Sequence, residues 1–222
     1  MNHPYICFDV GNVLVSVDFS QVLSSIARLA DVTPGDANYF LIKTQKFHDL
    51  GIITLEEAFK DHFRFHYSSN YEELLRYWDE SLSFESVMTD FLSELNEKGV
   101  KIALLSNIGA EHASILDREW GNKKWYKQAI HFYSCEVGAR KPSMLYYQSF
   151  LLQYPKFKNA LYIDDLQPNL DAGKKMGFRT LRFSLDDLRN DNYQQNLVEE
   201  IKKLKMLIYE DMTTSNKKGS KR

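Results

Sequence analysis

Four short stretches of the chain bring together side chains able to do chemistry. Asp9 ends the apolar run Tyr5-Ile6-Cys7-Phe8 and precedes Gly11-Asn12; Ser106-Asn107 follows Leu104-Leu105; Lys141 stands between Arg140 and Pro142; Asp164-Asp165 follows Leu161-Tyr162-Ile163. A lone carboxylate such as Asp9 can be a nucleophile or a metal ligand, and it can equally cap a turn. The Asp164-Asp165 pair is more demanding, because adjacent carboxylates at the end of an apolar strand repel each other unless a cation lies between them and another acid. A Mg²⁺ ion shared with Asp9 is the economical answer, since that ion takes oxygen ligands from one or two carboxylates, water and phosphate. Ser106 and Asn107 can donate hydrogen bonds to a phosphoryl oxygen, although a Ser-Asn pair is also an ordinary helix start. A lysine turned inward beside a carboxylate would hold it ionised; on its own Lys141 reads equally as a solvated side chain.

The elements around these residues place all four stretches alike. Tyr5–Phe8, Val100–Leu105, Ile130–Ser134, Ala160–Ile163 and Arg179–Phe183 are short apolar or β-branched runs, which predict strands, most of them buried on both faces. Between them, apolar positions at helical spacing (Val87, Phe91, Leu92 and Leu95; Leu145, Tyr146, Phe150 and Leu151) predict helices. Strands alternating with helices give an α/β, doubly wound, Rossmann-like parallel sheet, whose ligands bind at the carboxyl ends of the strands. Asp9, Ser106 and Asp164 all fall at such ends. From Asp18 to about Leu82 the chain reads as helices with no convincing strand: Thr33-Pro34 starts one, and Thr54-Leu55-Glu56-Glu57 forms a capping box before another. The expected organisation is a core of residues 1–16 and 83–210, an inserted helical domain over 17–82, and a polar, basic, disordered tail over 211–222 after a helix ending near Ile208.

Asp, Ser, Lys and Asp-Asp in this order and context resemble the four motifs of the haloacid-dehalogenase-like (HAD) hydrolase superfamily from Tyr5 to about Phe183. The resemblance implies a helical cap over the active site and phosphoryl transfer through an aspartyl-phosphate on Asp9. It further implies Mg²⁺ held by Asp9, Asp165 and the Gly11 carbonyl, with Asp164 orienting water at the ion and Asn169 supporting Asp165 or capping its helix. Ser106, Asn107, Gly11 and Asn12 would bind the substrate, and Lys141 would pair with Asp9. His48 and Asp49 could reach into the cleft from the cap or simply end a helix before Gly51; Arg140 is left without a role.

One position departs from the usual pattern. Phosphatases of this superfamily carry a second Asp two residues after the nucleophile, where this chain has Gly11. General acid–base help is worth roughly two to four decades of rate, so its loss implies a slow enzyme, another proton donor or a good leaving group. The Asp-x-Gly-Asn-Val form resembles a branch that includes sugar-1-phosphate (glucose-1-phosphate) phosphatases, whose anomeric phosphate leaves readily. A Mg²⁺-dependent phosphatase of a small phosphorylated metabolite is therefore expected. The alternatives are a catalytically silent binding protein of the same fold and a haloacid dehalogenase, for which the Asp164-Asp165 pair would be wasted.

Composition limits the remaining classes. The 222 residues are 44% hydrophobic, enough for a core, and a formal net charge of -2 gives no reason to expect nucleic acid or an anionic membrane as partner. No apolar run of about twenty residues occurs, and a soluble, cytoplasmic protein is expected. Cys7 and Cys135 are expected as small buried hydrophobes.

Overall fold

The computed structural model describes residues 4–63 and 67–219, with the backbone alone for 61–63, 67–70 and 211–219. The central sheet is parallel and five-stranded, built from β1 (Tyr5–Phe8), β4 (Lys101–Ser106), β5 (Ile130–Tyr133), β6 (Leu161–Asp164) and β7 (Arg179–Arg182), in the order β5-β4-β1-β6-β7. β1 lies in the middle, with Phe8 opposite Leu104 on one side and Ile163 on the other. Alternation along these strands divides the core. Ile6, Phe8, Ile102, Leu104 and Ile163 face one layer, filled by α5 (Ser86–Glu97), α6 (Ala110–Trp120) and α11 (Tyr193–Gly219). Cys7, Ala103, Leu105, Phe132 and Tyr162 face the other, filled by α9 (Met144–Gln153) and α10 (Gln167–Lys175). The doubly wound α/β architecture expected from the alternating runs is the one observed, and Cys7 and Cys135 are free thiols.

Among the described residues, four helices form the insertion: α1 (Ser20–Ala30), α2 (Pro34–His48), α3 (Leu55–Phe63) and α4 (Tyr67–Glu80). They share a separate core that includes Ile26, Phe40, Leu55, Phe59 and Trp78. The starts of α2 and α3 follow from their sequences. Thr33 Oγ1 accepts from the Asp36 N–H at 3.2 Å, while Thr54 and Glu57 cap one another reciprocally at 2.8 and 3.1 Å.

Between the sheet and the insertion lies a feature the sequence reading omits, an antiparallel ribbon of β2 (Val15–Val17) and β3 (Leu82–Phe84). Strands of three residues are too short for alternation to register, and these two are some 65 residues apart in sequence. Three further differences are local. Ser134 opens the short helix α8 (Ser134–Val137) instead of ending β5, and α7 (Lys124–Gln128) precedes that strand. Asn169 lies in the first turn of α10, which Gln167 opens. The final helix, expected to stop near Ile208, continues to Gly219 into the tail expected to be disordered; residues 220–222 lie outside the described part.

Candidate active site

Asp9 leaves the end of β1 with its N–H bonded to the Ile163 carbonyl at 2.8 Å, which fixes its backbone between β1 and β6. One oxygen, Oδ1, accepts from the Val10 N–H at 2.7 Å and pairs with Lys141 Nζ at 2.8 Å. The same Nζ lies 2.8 Å from Asp164 Oδ2. Lys141 therefore points inward, as the resemblance implies. Its backbone is clamped by Asn107, whose Nδ2 donates to the Lys141 carbonyl at 2.9 Å and whose Oδ1 accepts from the Lys141 N–H at 2.8 Å. Those bonds use Oδ1 and one of the two amide protons of Asn107. Ser106 is buried at the end of β4 and, with Asp9, Asn107 and Lys141, lines a cavity at this end of the sheet.

Asp164 is held by a dense set of donors. Its two oxygens accept from Lys141, the Tyr162 hydroxyl, the Leu166 N–H and the Asn169 amide, so they have little capacity left for orienting water. Asn169 accordingly serves Asp164 and not Asp165. Asn12 adopts a left-handed conformation at φ 52°, with its Oδ1 accepting from the Val17 N–H at 3.0 Å and its carbonyl accepting from the Leu185 N–H at 2.7 Å. Through Oδ1 it anchors the ribbon that leads to the cap, and the residue also lines the cavity beside Asp9.

Oxygens of Asp9, Asp164 and Asp165 lie within 4.8 Å of one another, a spacing that could hold a metal ion. The electrostatics favour such an occupant, because three carboxylates face one ammonium. Burial, with the Asp164 charge adding to it, pushes the Asp9 carboxyl well above the usual range against the pull of Lys141. Burial likewise raises Asp165 to about 6, again with Asp164 adding to it. Asp164 runs the other way: burial opposes its charge, but Lys141, Tyr162 and the Leu166 N–H outweigh it and hold its pKa down. Burial also works against the charge of Lys141, and the two carboxylates overcome it and hold that pKa above the ordinary lysine value. Asp9 and Asp165 are thus the strained carboxylates, and a hard divalent cation is the partner that would relieve both.

A cavity of about 360 Å³ opens above these residues between core and cap, lined from the cap side by Phe19, Gln45, Asp49 and Trp78. The segment joining α2 to α3 fastens the cap here. His48 is buried and pairs with Glu111 at the start of α6, and the other oxygen of Glu111 accepts from the Leu55 N–H at 3.0 Å. The His48 ring lies directly on Gly109, where an added Cβ would sit 1.8 Å from its Cε1. At Gly51, with φ +68°, an added Cβ would meet the Cys135 carbonyl at 2.4 Å, so only glycine permits the approach. Asp49 pairs with Arg140 Nη2 at 3.1 Å. His48 is a docking residue, Asp49 reaches the cavity, and Arg140 gains a partner. Sequence reading missed His112, which lines the cavity, stacks on Trp78 at 4.6 Å between ring centroids and is lowered to about 4 by burial. A histidine on a helix face carries no signal separating that position from an ordinary core one.

A parallel sheet with carboxylates at its switch point and an inserted helical cap defines a class of hydrolase, and the comparisons with known proteins agree. Residues 4–177 match the family of haloacid dehalogenase-like hydrolases, and the chain belongs to it. Among solved structures, the HAD family enzyme bt-2542 from Bacteroides thetaiotaomicron superposes with a TM-score of 0.71 at 17% identity, over 82% of this chain and 94% of that one. The same wild-type protein in complex with magnesium and inorganic phosphate gives 0.66 at 17% identity, over 82% and 94%. A HAD phosphatase from Thermococcus onnurineus gives 0.59 at 18% identity, over 85% and 90%. At these identities the likeness speaks for the fold. No helix among the described residues is long and apolar enough to cross a membrane.

Proposed function

We propose that the protein is a Mg²⁺-dependent phosphatase acting on a small phosphorylated metabolite, a sugar phosphate by preference, through a covalent phosphoryl group on Asp9. The observation that carries the reading is the joining of Asp9 and Asp164 through one buried lysine, beside Asp165, in the cavity between core and cap. An unneutralised cluster of this kind suits a site whose ligands bring a metal cation and a phosphoryl group together. The magnesium and phosphate found with bt-2542, which shares this fold, support it.

In this reading an oxygen of Asp9 attacks phosphorus as the bond to the leaving-group oxygen breaks, and water then displaces Asp9 from phosphorus. Asp9, Asp165 and the Gly11 carbonyl would hold Mg²⁺, which supplies charge neutralisation for the phosphoryl oxygens. Lys141 holds Asp9 in place and adds a fixed positive charge. The Ser106 hydroxyl binds the transferring group, and Asp164, locked by four donors, holds Lys141. In phosphoryl transfer, positioning and charge are most of the catalysis.

The cavity volume suits a small metabolite, since ligand pockets run from about 300 to 1,000 Å³. Its mixed lining of Trp78 and Phe19 with Gln45, Asp49 and Arg140 offers apolar faces and hydroxyl partners together, which supports a sugar. A second reading, a silent binding protein, is favoured by one observation, Gly11 at the usual acid's position. Phosphate release from a panel of sugar phosphates, with and without Mg²⁺, separates the two. Turnover that requires Mg²⁺ supports the phosphatase, and none on any ester, from a folded protein that binds Mg²⁺, supports the binder.

A further inference from the structure

With glycine at position 11, fast turnover of an ordinary ester calls for another donor of the leaving-group proton. The described residues lining the cavity offer few groups with a transferable proton: Asp9, Asp49, His112, Lys141 and Asp165, besides the always-charged Arg140. Asp9 is the nucleophile in the proposed reaction and Asp165 faces the cation. Lys141 gives its ammonium protons to two carboxylates that hold them tightly. His112 is neutral near pH 7, and its Nε2 lies 3.2 Å from both the Trp78 carbonyl and the Ser81 hydroxyl. Elimination leaves Asp49.

Resting on the phosphatase reading, we infer that Asp49 is the proton donor of this site, supplied by the cap in place of the residue missing at position 11. Asp49 is 8% exposed and caps the carboxyl end of α2, a 15-residue helix whose terminal carbonyls disfavour a negative charge there. Burial raises its pKa further, while Arg140, His48 and Lys141 pull it back. Its position is fixed on both sides: His48, the preceding residue, is seated on Gly109 and Glu111, and Arg140 holds its Oδ2 at 3.1 Å. Arg140 is the immediate neighbour of Lys141, whose Nζ touches Asp9, and Asp49, Arg140, Lys141 and Asp9 all line the one cavity.

The protons balance. As the Asp9 oxygen bonds to phosphorus and the ester P–O bond breaks, the Asp49 carboxyl gives its proton to the departing oxygen. Arg140 stabilises the carboxylate left behind. That carboxylate then takes a proton from the water attacking the aspartyl-phosphate, releasing phosphate and regenerating the acid.

The test uses the full chain with Mg²⁺ and phosphate monoesters graded by leaving group, from 4-nitrophenyl through phenyl to an alkyl ester. Asp49→Asn is expected to lower kcat by a factor that grows along the series, from under about tenfold on 4-nitrophenyl phosphate to about a hundredfold or more on the alkyl ester. A loss equal across the series, or confined to KM, overturns the inference. The pH profile of the unaltered protein decides even where the variant fails to fold. An alkaline fall in kcat present with the alkyl ester and absent with the 4-nitrophenyl ester supports Asp49, and identical profiles overturn it. No turnover by the unaltered protein on any ester would overturn the phosphatase reading and this assignment with it.

Discussion

Lys141 Nζ lies 2.8 Å from Asp9 Oδ1 and, with the same atom, 2.8 Å from Asp164 Oδ2. One side chain, 1% exposed, is thus the sole ammonium among three described carboxylates at the end of the sheet. Removing one partner of a buried ion pair costs about 3–5 kcal/mol, because the remaining charge stays desolvated. Lys141→Met is therefore expected to lower stability by about that amount and phosphatase turnover by about a hundredfold or more. Urea titration and steady-state kinetics check both. A variant as stable and active as the unaltered protein would mean that the lysine is not the counter-charge.

Gly11 is placed so that its replacement tests chemistry more than folding. Its φ is outside the left-handed region, and an added Cβ would lie 3.3 Å from Val17 Cγ2, a tight contact that a small side-chain shift can relieve. Gly11→Asp is expected to leave the melting temperature nearly unchanged and to raise turnover on alkyl phosphates about tenfold or more. It should also restore most of what Asp49→Asn loses. Unchanged turnover on such esters would argue that protonation of the leaving group is not limiting.

The cap is held by a contact that a methyl group should disrupt. Gly109 has an ordinary φ of −85°, so Gly109→Ala costs no backbone strain, yet its Cβ would collide with the His48 ring. The single variant is expected to lose about 1–3 kcal/mol, the usual range for overpacking. Made in a His48→Ala background, the same change should cost far less. A double-mutant cycle giving a coupling energy near zero would contradict the packing described.

Acid should loosen the same junction. Burial would raise the Glu111 carboxyl, but His48 and the Leu55 N–H more than offset it and lower the pKa from 4.5 to about 2. A carboxylate depressed in the folded state adds stability that is present above the unfolded value and disappears as pH falls from about 4.5 towards about 2. The stability difference between the unaltered protein and Glu111→Gln should accordingly shrink over that window. Denaturant midpoints measured through it check this, and a constant difference would contradict it.

How much of this was legible in the sequence depends on the length scale of each signal. Buried strands such as Leu161–Asp164 and helices such as Ser86–Glu97 announce themselves through runs and periodicity, which are local. The inward direction of Lys141 was legible through resemblance alone, because the residues that turn it, Asn107 and Asp164, are 34 and 23 positions away. The 34 positions between Asn107 and Lys141 likewise hid the bonding of that amide to the Lys141 backbone, whereas Asn169 lies only five positions from Asp164 and the sequence did not show which of the two adjacent carboxylates its amide would take. The Val15–Val17 and Leu82–Phe84 ribbon was illegible for want of length. Asp49 stood in view as a carboxylate before a glycine, and only the docking of His48 on Gly109 gave it a cavity to face.

The most direct test of the account is to capture the phosphoryl group on Asp9. The protein would be mixed with Mg²⁺ and 4-nitrophenyl phosphate, quenched in acid within the first turnover, and its peptides examined by mass spectrometry. The account predicts one added phosphoryl group on the peptide that contains Asp9, and none in Asp9→Asn treated in the same way. Phosphate release at full rate by Asp9→Asn, or a label carried by any other residue, would contradict it.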